Sequence, residues 1–316
     1  MGGPERDSNG LNILLISPLE GDFFPTEVTS IESVIRLATP DTAQIRVFNQ
    51  SNLGELEVDK ISESHIIISG SDKSVHEGIP HKEKIADIVN MARDKGRKLL
   101  GICWGHQFIA ERLGGEVFVA KEYPDVPFNP EFGVLPLKLT KAGKTDPAFR
   151  GINDTSFYTT HLDHVKQPPF KCKRVQVLAE TALYPNQVLR IDDHILTTQM
   201  HPELIKIQVM HFIDHTRAGL IKLLGKDKFK EDLGDWPNWS KESVQEHFRQ
   251  AEANGLKFMR NFYYGSSALP QQLTLDIFSE TDLDEVTPEV CRELASMKKP
   301  DGEKIDGESD EGADDE

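Results

Sequence analysis

The sequence predicts an α/β fold: an open, mostly parallel sheet with helices on both faces. Three observations carry this. Short apolar runs read as buried strands, helical patterns separate them, and the chain turns β-rich after about Phe118. In order, residues 11–17 form an apolar run ended by Pro18, as expected of a strand buried on both faces. Val28, Ile31, Val34, Ile35 and Leu37 then fall at mostly helical spacing across 26–37. Residues 44–49 and 65–69 return to strand. In 82–95, Ile85, Ile88, Val89 and Ala92 share one helical face, and 98–102 is again a strand. Beyond Phe118, residues 134–139, 156–160, 175–180, 188–191 and 195–199 read as strands, and 204–224 as a closing helix. After Gly225 the alternation stops. A break at Trp236-Pro237-Asn238-Trp239 precedes a helix over 241–262, with Val244, Phe248, Ala251 and Phe258 in its apolar stripe. The expected organisation is a body at 11–225, a helical C-terminal appendage at 226–299 and an acidic tail at 300–316.

With 316 residues, 38% hydrophobic and 28% charged, the chain can bury a sizeable core. It holds no run of 18 uncharged apolar residues, and its first twenty residues resemble neither a signal peptide nor a transit peptide. Cys103, Cys172 and Cys291 are too few and scattered for a disulfide framework, so a reducing compartment, the cytoplasm, is expected. The net charge of −16 argues against nucleic-acid and anionic-membrane partners. Nine acids against Lys304 concentrate half of that charge in the last sixteen residues, a composition that does not offset its own ordering entropy. The tail is expected to be a disordered, solvated segment.

The most informative stretch is Leu99-Leu100-Gly101-Ile102-Cys103-Trp104-Gly105-His106-Gln107. A buried strand runs into Gly-x-Cys-x-Gly and then into a helical segment. A nucleophile on so sharp a turn needs flanking glycines, because side chains there would clash. The turn is expected to aim the Cys103 sulfur into the open, with a helix N-terminus to favour a thiolate. The backbone N–H of Trp104 then faces a developing oxyanion. A second constellation, Gln199-Met200-His201-Pro202-Glu203, ends a predicted strand. A thiol nucleophile needs a base, and the base needs a carboxylate to set its tautomer; His201 and Glu203 supply both if the segment is extended.

Together these two segments resemble the class I glutamine amidotransferase family, over roughly residues 11–225. The resemblance implies a flavodoxin-like fold and a catalytic triad of Cys103, His201 and Glu203. It implies an oxyanion hole from the backbone of Ser71, on the segment His65–Ser71, and of Trp104. It also implies that Gly70, Gln107 and His161, the last in Thr160-His161-Leu162-Asp163-His164-Val165, line the substrate site. Members fused to a synthetase usually carry Gly-Gly-Pro on the oxyanion loop, whereas this chain has Gly70-Ser71-Asp72, similar to the stand-alone branch that includes plant γ-glutamyl peptidases. The amidotransferase domain of GMP synthase is also similar. No phosphate-binding loop is found, so no synthetase domain is expected within the chain.

Three functions follow. One is a thiol hydrolase that cleaves the amide of glutamine through a γ-glutamyl thioester and supplies ammonia to a separate synthetase. Another is a γ-glutamyl peptidase acting on glutathione conjugates or γ-glutamyl peptides. The third is a non-catalytic scaffold, against which the intact Cys-His-Glu set argues. Cys172 and Cys291 lack a neighbouring base and are expected to be inert. Trp236, Trp239 and Phe262-Tyr263-Tyr264 are expected to pack the appendage. His81, His106 and the His211/His215 pair lack a third ligand, so no metal and no organic cofactor is expected.

Overall fold

A computed structural model describes residues 11–19, 31–40, 42–122, 129–206, 208–209, 218–222, 225–227, 229 and 242–265. The elements are β1 (Asn12–Ile16), α1 (Ile31–Leu37), β2 (Gln44–Phe48), β3 (His65–Ile68), α2 (Lys82–Lys95), β4 (Lys98–Ile102), α3 (Trp104–Arg112), β5 (Glu116–Phe118) and β6 (Glu131–Pro136). They continue as β7 (Lys138–Leu139), β8 (Ser156–His161), β9 (His164–Gln167), β10 (Val175–Glu180), β11 (Val188–Ile191), β12 (Ile195–Thr198) and α4 (Glu242–Tyr264). An eight-stranded sheet runs in the order β2-β1-β3-β4-β12-β11-β10-β7. The first five strands are parallel and the last three add antiparallel. This is the open α/β arrangement expected from the sequence.

The strict alternation of side chains along each strand divides the core in two. Ile13, Leu15, Ile67, Leu100 and Ile102 face one layer, which also holds Val34 and Ile35 of α1 and Phe258, Met259 and Phe262 of α4. Leu14, Ile16, Ile66, Ile68 and Leu99 face the other, with Ile85, Ile88 and Val89 of α2 and Ile109 of α3. Burying both faces explains why these strands read as continuous apolar runs.

Three differences from the sequence expectation have physical reasons. The strand expected over 134–139 is two strands. β6 ends at Pro136, which has no N–H to donate, and pairs antiparallel with β8, whereas β7 joins the main sheet. β5 and β9 pair with each other and were not expected, because runs this short, with Glu116 and Lys166 among their residues, carry little alternation signal. The helix expected in the C-terminal segment shares the core of the body: His65 Nε2 and Lys98 Nζ both bond the Tyr263 carbonyl, at 3.0 and 2.7 Å. Of the helix expected over 204–224, residues 206, 208–209 and 218–222 are helical. His211, His215, Trp236, Trp239, Cys291 and the tail at 300–316 lie outside the described residues. No helix among the described residues is long and apolar enough to cross a membrane.

Candidate active site

Adjacent parallel strands deliver their carboxyl ends to one place, where open α/β sheets bind ligands. Here β3, β4 and β12 lie side by side, and the residues just beyond them include Gly70, Cys103 and His201. Cys103 sits between β4 and α3 at φ 50° and ψ −104°, a positive φ that a side chain rarely adopts. Its N–H donates to the Thr198 carbonyl at 2.8 Å, which ties the turn to β12. The flanking glycines are required by space. A Cβ on Gly101 would lie 2.5 Å from Ile109 Cδ1 and 2.7 Å from the Gly105 carbonyl, and one on Gly105 would overlap the Ile68 carbonyl of β3.

The sulfur is not in the open. Cys103 is 8% exposed: the thiol donates to the Thr160 carbonyl at 3.8 Å, and the Gln199 amide Nε2 donates to the sulfur at 3.5 Å. β8 and the chain after β12 close over the elbow, which the local sequence does not reveal.

His201 Nδ1 meets Glu203 Oε1 at 2.8 Å, and both residues are buried. The segment is not extended, since β12 ends at Thr198 and residues 202–203 form a turn. The contact is made by that turn, with the His201 N–H held by the Tyr158 carbonyl at 2.8 Å. Burial works against a charged ring. The Glu203 carboxylate, and then Cys103, outweigh it and hold the His201 imidazole well above its ordinary range. Nε2 is buried and makes no hydrogen bond among the described residues, although Cys103 is close enough to act on the ring electrostatically. Gly70 faces both groups: a Cβ there would lie 3.3 Å from His201 Cε1 and 3.5 Å from Cys103 Cβ.

The other sequence-designated residues surround this pair in different ways. Trp104 is the first residue of α3, where a backbone N–H has no helical acceptor; its buried ring stacks on Phe108 at 4.7 Å. Ser71 is half-buried, and its hydroxyl accepts from the Lys73 N–H at 3.2 Å. Gln107 is buried, and its Nε2 donates to the Asp163 carbonyl at 2.8 Å and to Gln199 Oε1 at 3.1 Å. His161 meets the Asp163 carbonyl through Nδ1 at 3.0 Å and Glu131 Oε2 through Nε2 at 2.9 Å, so both ring nitrogens have protein partners. Cys172 stands apart, its thiol pushed up by burial and by Asp192.

Two residues at the site went unassigned in the sequence. Gln199, beside the His-Pro-Glu segment, was detectable as a polar residue in a buried stretch. Glu131 was not, because the β6–β8 register alone sets it opposite His161. Among the described residues no group of three or more His, Cys, Asp or Glu side chains is arranged to hold a metal ion.

Comparison with known proteins bears on the family and the fold. The family model "Glutamine amidotransferase class-I" matches residues 29–211. Gamma-glutamyl peptidase 4 of Arabidopsis thaliana is 30% identical over 172 residues, 52% of this chain and 64% of that protein. The glutamine-hydrolyzing GMP synthase of Clostridium novyi is 31% identical over 193 residues, 60% of this chain and 32% of that protein. The matched region thus spans less than two thirds of each of these relatives. A glutamine amidotransferase structure from Thermotoga maritima superposes with a TM-score of 0.55 at 16% identity, covering 80% of this chain and 96% of that one. One from Methylobacillus flagellatus gives 0.55 at 15%, with coverage of 80% and 95%. At these identities the structural likeness speaks for the fold.

Proposed function

The chain belongs to the class I glutamine amidotransferase family, and from that membership we propose that it is a thiol hydrolase of γ-glutamyl amide bonds. The observation that carries this reading is the convergence of Cys103, a Glu203-bound His201 and Gly70 at the ends of three adjacent strands. His201, whose charged form Glu203 favours, holds the proton of Cys103, and the sulfur attacks the γ-carbonyl carbon. The backbone N–H groups of Trp104 and Ser71 receive the oxyanion. Collapse expels ammonia or an amine, which takes the proton from His201, and leaves a γ-glutamyl thioester. Water, deprotonated by His201, then releases glutamate or its γ-glutamyl equivalent and restores the thiol. Glu203 keeps the ring in one tautomer and stabilises its charged form.

With glutamine as substrate, the ammonia would pass to a separate synthetase, as the GMP synthase relatives suggest. A γ-glutamyl peptide or glutathione conjugate is the second reading, favoured by Ser71 on the oxyanion loop and by the plant γ-glutamyl peptidase match. Both share the acyl half of the reaction.

Purified protein, wild type and Cys103→Ala, is incubated with glutamine, glutathione and a glutathione conjugate, and products are followed by mass spectrometry. Wild type is expected to cleave the γ-glutamyl peptide bond measurably and glutamine more slowly, and Cys103→Ala to cleave none. Turnover of glutamine alone, and only when a synthetase is added, would remove the peptidase reading. An electrophilic glutamine analogue is expected to label Cys103 and neither Cys172 nor Cys291; labelling spread over all three thiols would overturn the assigned site.

A further inference from the structure

We propose that α4, which lies beyond the region matched to the family, is a positioning element for His201, acting through close contact between Gly255 and the Pro202 carbonyl. The inference rests on His201 being the base. Gly255 is buried in the middle of α4, where glycine costs about 1 kcal/mol of helix stability relative to alanine. Space accounts for its presence. A Cβ at this position would lie 2.5 Å from Pro202 O, 3.1 Å from its carbonyl carbon and 3.2 Å from its Cα. Pro202 is the link between His201 and Glu203, whose side chains meet at 2.8 Å. The helix therefore abuts the peptide that sets the angle between base and carboxylate.

A second set of contacts holds His201 from its other side. The Tyr158 carbonyl accepts the His201 N–H at 2.8 Å, while the Tyr158 hydroxyl donates to the Phe248 carbonyl of α4 at 3.1 Å. Nearly two turns along, Asn254 Nδ2 donates to the Ser156 carbonyl at 2.9 Å, and Asn254 is fully buried. α4 thus touches both the strand from which His201 is hung and the turn that follows it. A methyl group at 255 must displace either the helix or Pro202. A displacement of about 1 Å at a catalytic base is enough to cost on the order of a hundredfold in rate.

The test reads the His201–Cys103 pairing directly. The rate of Cys103 alkylation by iodoacetamide is followed against pH, by mass spectrometry of the Cys103 peptide, for wild type, His201→Ala, Gly255→Ala, Tyr158→Phe and Asn261→Ala. Asn261 is the control, because it anchors α4 elsewhere, through the Ala148 and Arg150 carbonyls at 3.0 and 2.9 Å. His201→Ala and Gly255→Ala are expected to slow Cys103 alkylation at neutral pH and to change its dependence on pH, Gly255→Ala on the order of tenfold. Tyr158→Phe is expected to shift the profile less, in the same direction. Asn261→Ala is expected to lower the melting temperature and keep the wild-type profile. A wild-type profile in folded Gly255→Ala, or an equal shift in Asn261→Ala, overturns the inference. Should Gly255→Ala fail to fold, an unshifted Tyr158→Phe overturns it. A wild-type profile in His201→Ala removes the base assignment itself, and the inference with it.

Discussion

Cys103, the proposed nucleophile, sits on a backbone that opposes any side chain. At φ 50° and ψ −104°, any L side chain is strained, on the order of 1–3 kcal/mol. Alanine keeps that strain and removes the sulfur, whereas glycine removes both. Cys103→Gly is therefore expected to unfold in urea at a higher midpoint than Cys103→Ala, by about 1 kcal/mol after glycine's own entropy cost. The reverse order would mean that the elbow is not strained. Gln199 is the other residue with an outcome to check. Its amide donates to the sulfur and accepts from Gln107, so Gln199→Leu removes the donor and unlinks that pair. We expect kcat/KM to fall about 10- to 100-fold with a stability loss near 1 kcal/mol, as measured by steady-state kinetics and urea unfolding.

The elbow works as an element only because α3 packs directly on β3. Gly105 lets the first turn of the helix touch the Ile68 carbonyl, and this contact places the α3 N-terminus beside the ends of β3 and β4. Gly105→Ala forces a methyl group into backbone that cannot rotate away. It is expected to destabilise by about 3 kcal/mol or more, or to yield no soluble protein, as judged by thermal melting and expression. A variant as stable as wild type would show that α3 can slide. The elbow and both glycines were legible in the sequence as a motif, although only the clash that Gly101 avoids is local, the one at Gly105 being with Ile68 of β3. The His201–Glu203 contact was legible as a pair but not as a geometry: a turn brings the two side chains together, where strand alternation was expected.

Across the whole molecule, buried histidines set the acid limb of stability. His65 is lowered to about 3 by burial and by Lys98, and His106 to about 3 by burial, both from 6.5. The unfolded chain therefore binds more protons below pH 6.5, and each group removes up to about 1.4 kcal/mol per pH unit as pH falls from 6.5 towards 3. His164, lowered to about 4 by burial, acts in the same direction. Glu252 on α4 has the opposite sign, raised from 4.5 to about 7 by burial. It is protonated in the folded chain and ionised in the unfolded one between these values, so its contribution is lost as pH rises from 4.5 to 7. The histidines outweigh it below 6.5, while above 6.5 His201, raised despite its burial by Glu203 and Cys103, loses its contribution alongside Glu252, so that stability peaks near pH 6.5. Urea unfolding at half-unit pH steps is expected to show that maximum. Glu252→Gln is expected to steepen the acid limb and flatten the decline from 6.5 to 7; an unchanged pH profile in the variant would contradict the assignment.

The strand runs, the α2 and α3 helices, the elbow and the His-Pro-Glu segment were readable because each is written in neighbouring residues, through apolar period, glycine spacing and motif. Packing between distant segments decided the rest. The sulfur lies buried because Thr160 and Gln199 come from other strands and their ends. His161 is engaged because the β6–β8 register puts Glu131 against it. The C-terminal helix, set apart in the sequence by a lost alternation, lies on the sheet with Gly255 against Pro202. Contacts between residues thirty or more positions apart depend on how whole layers stack, and a local pattern carries no record of its eventual neighbour.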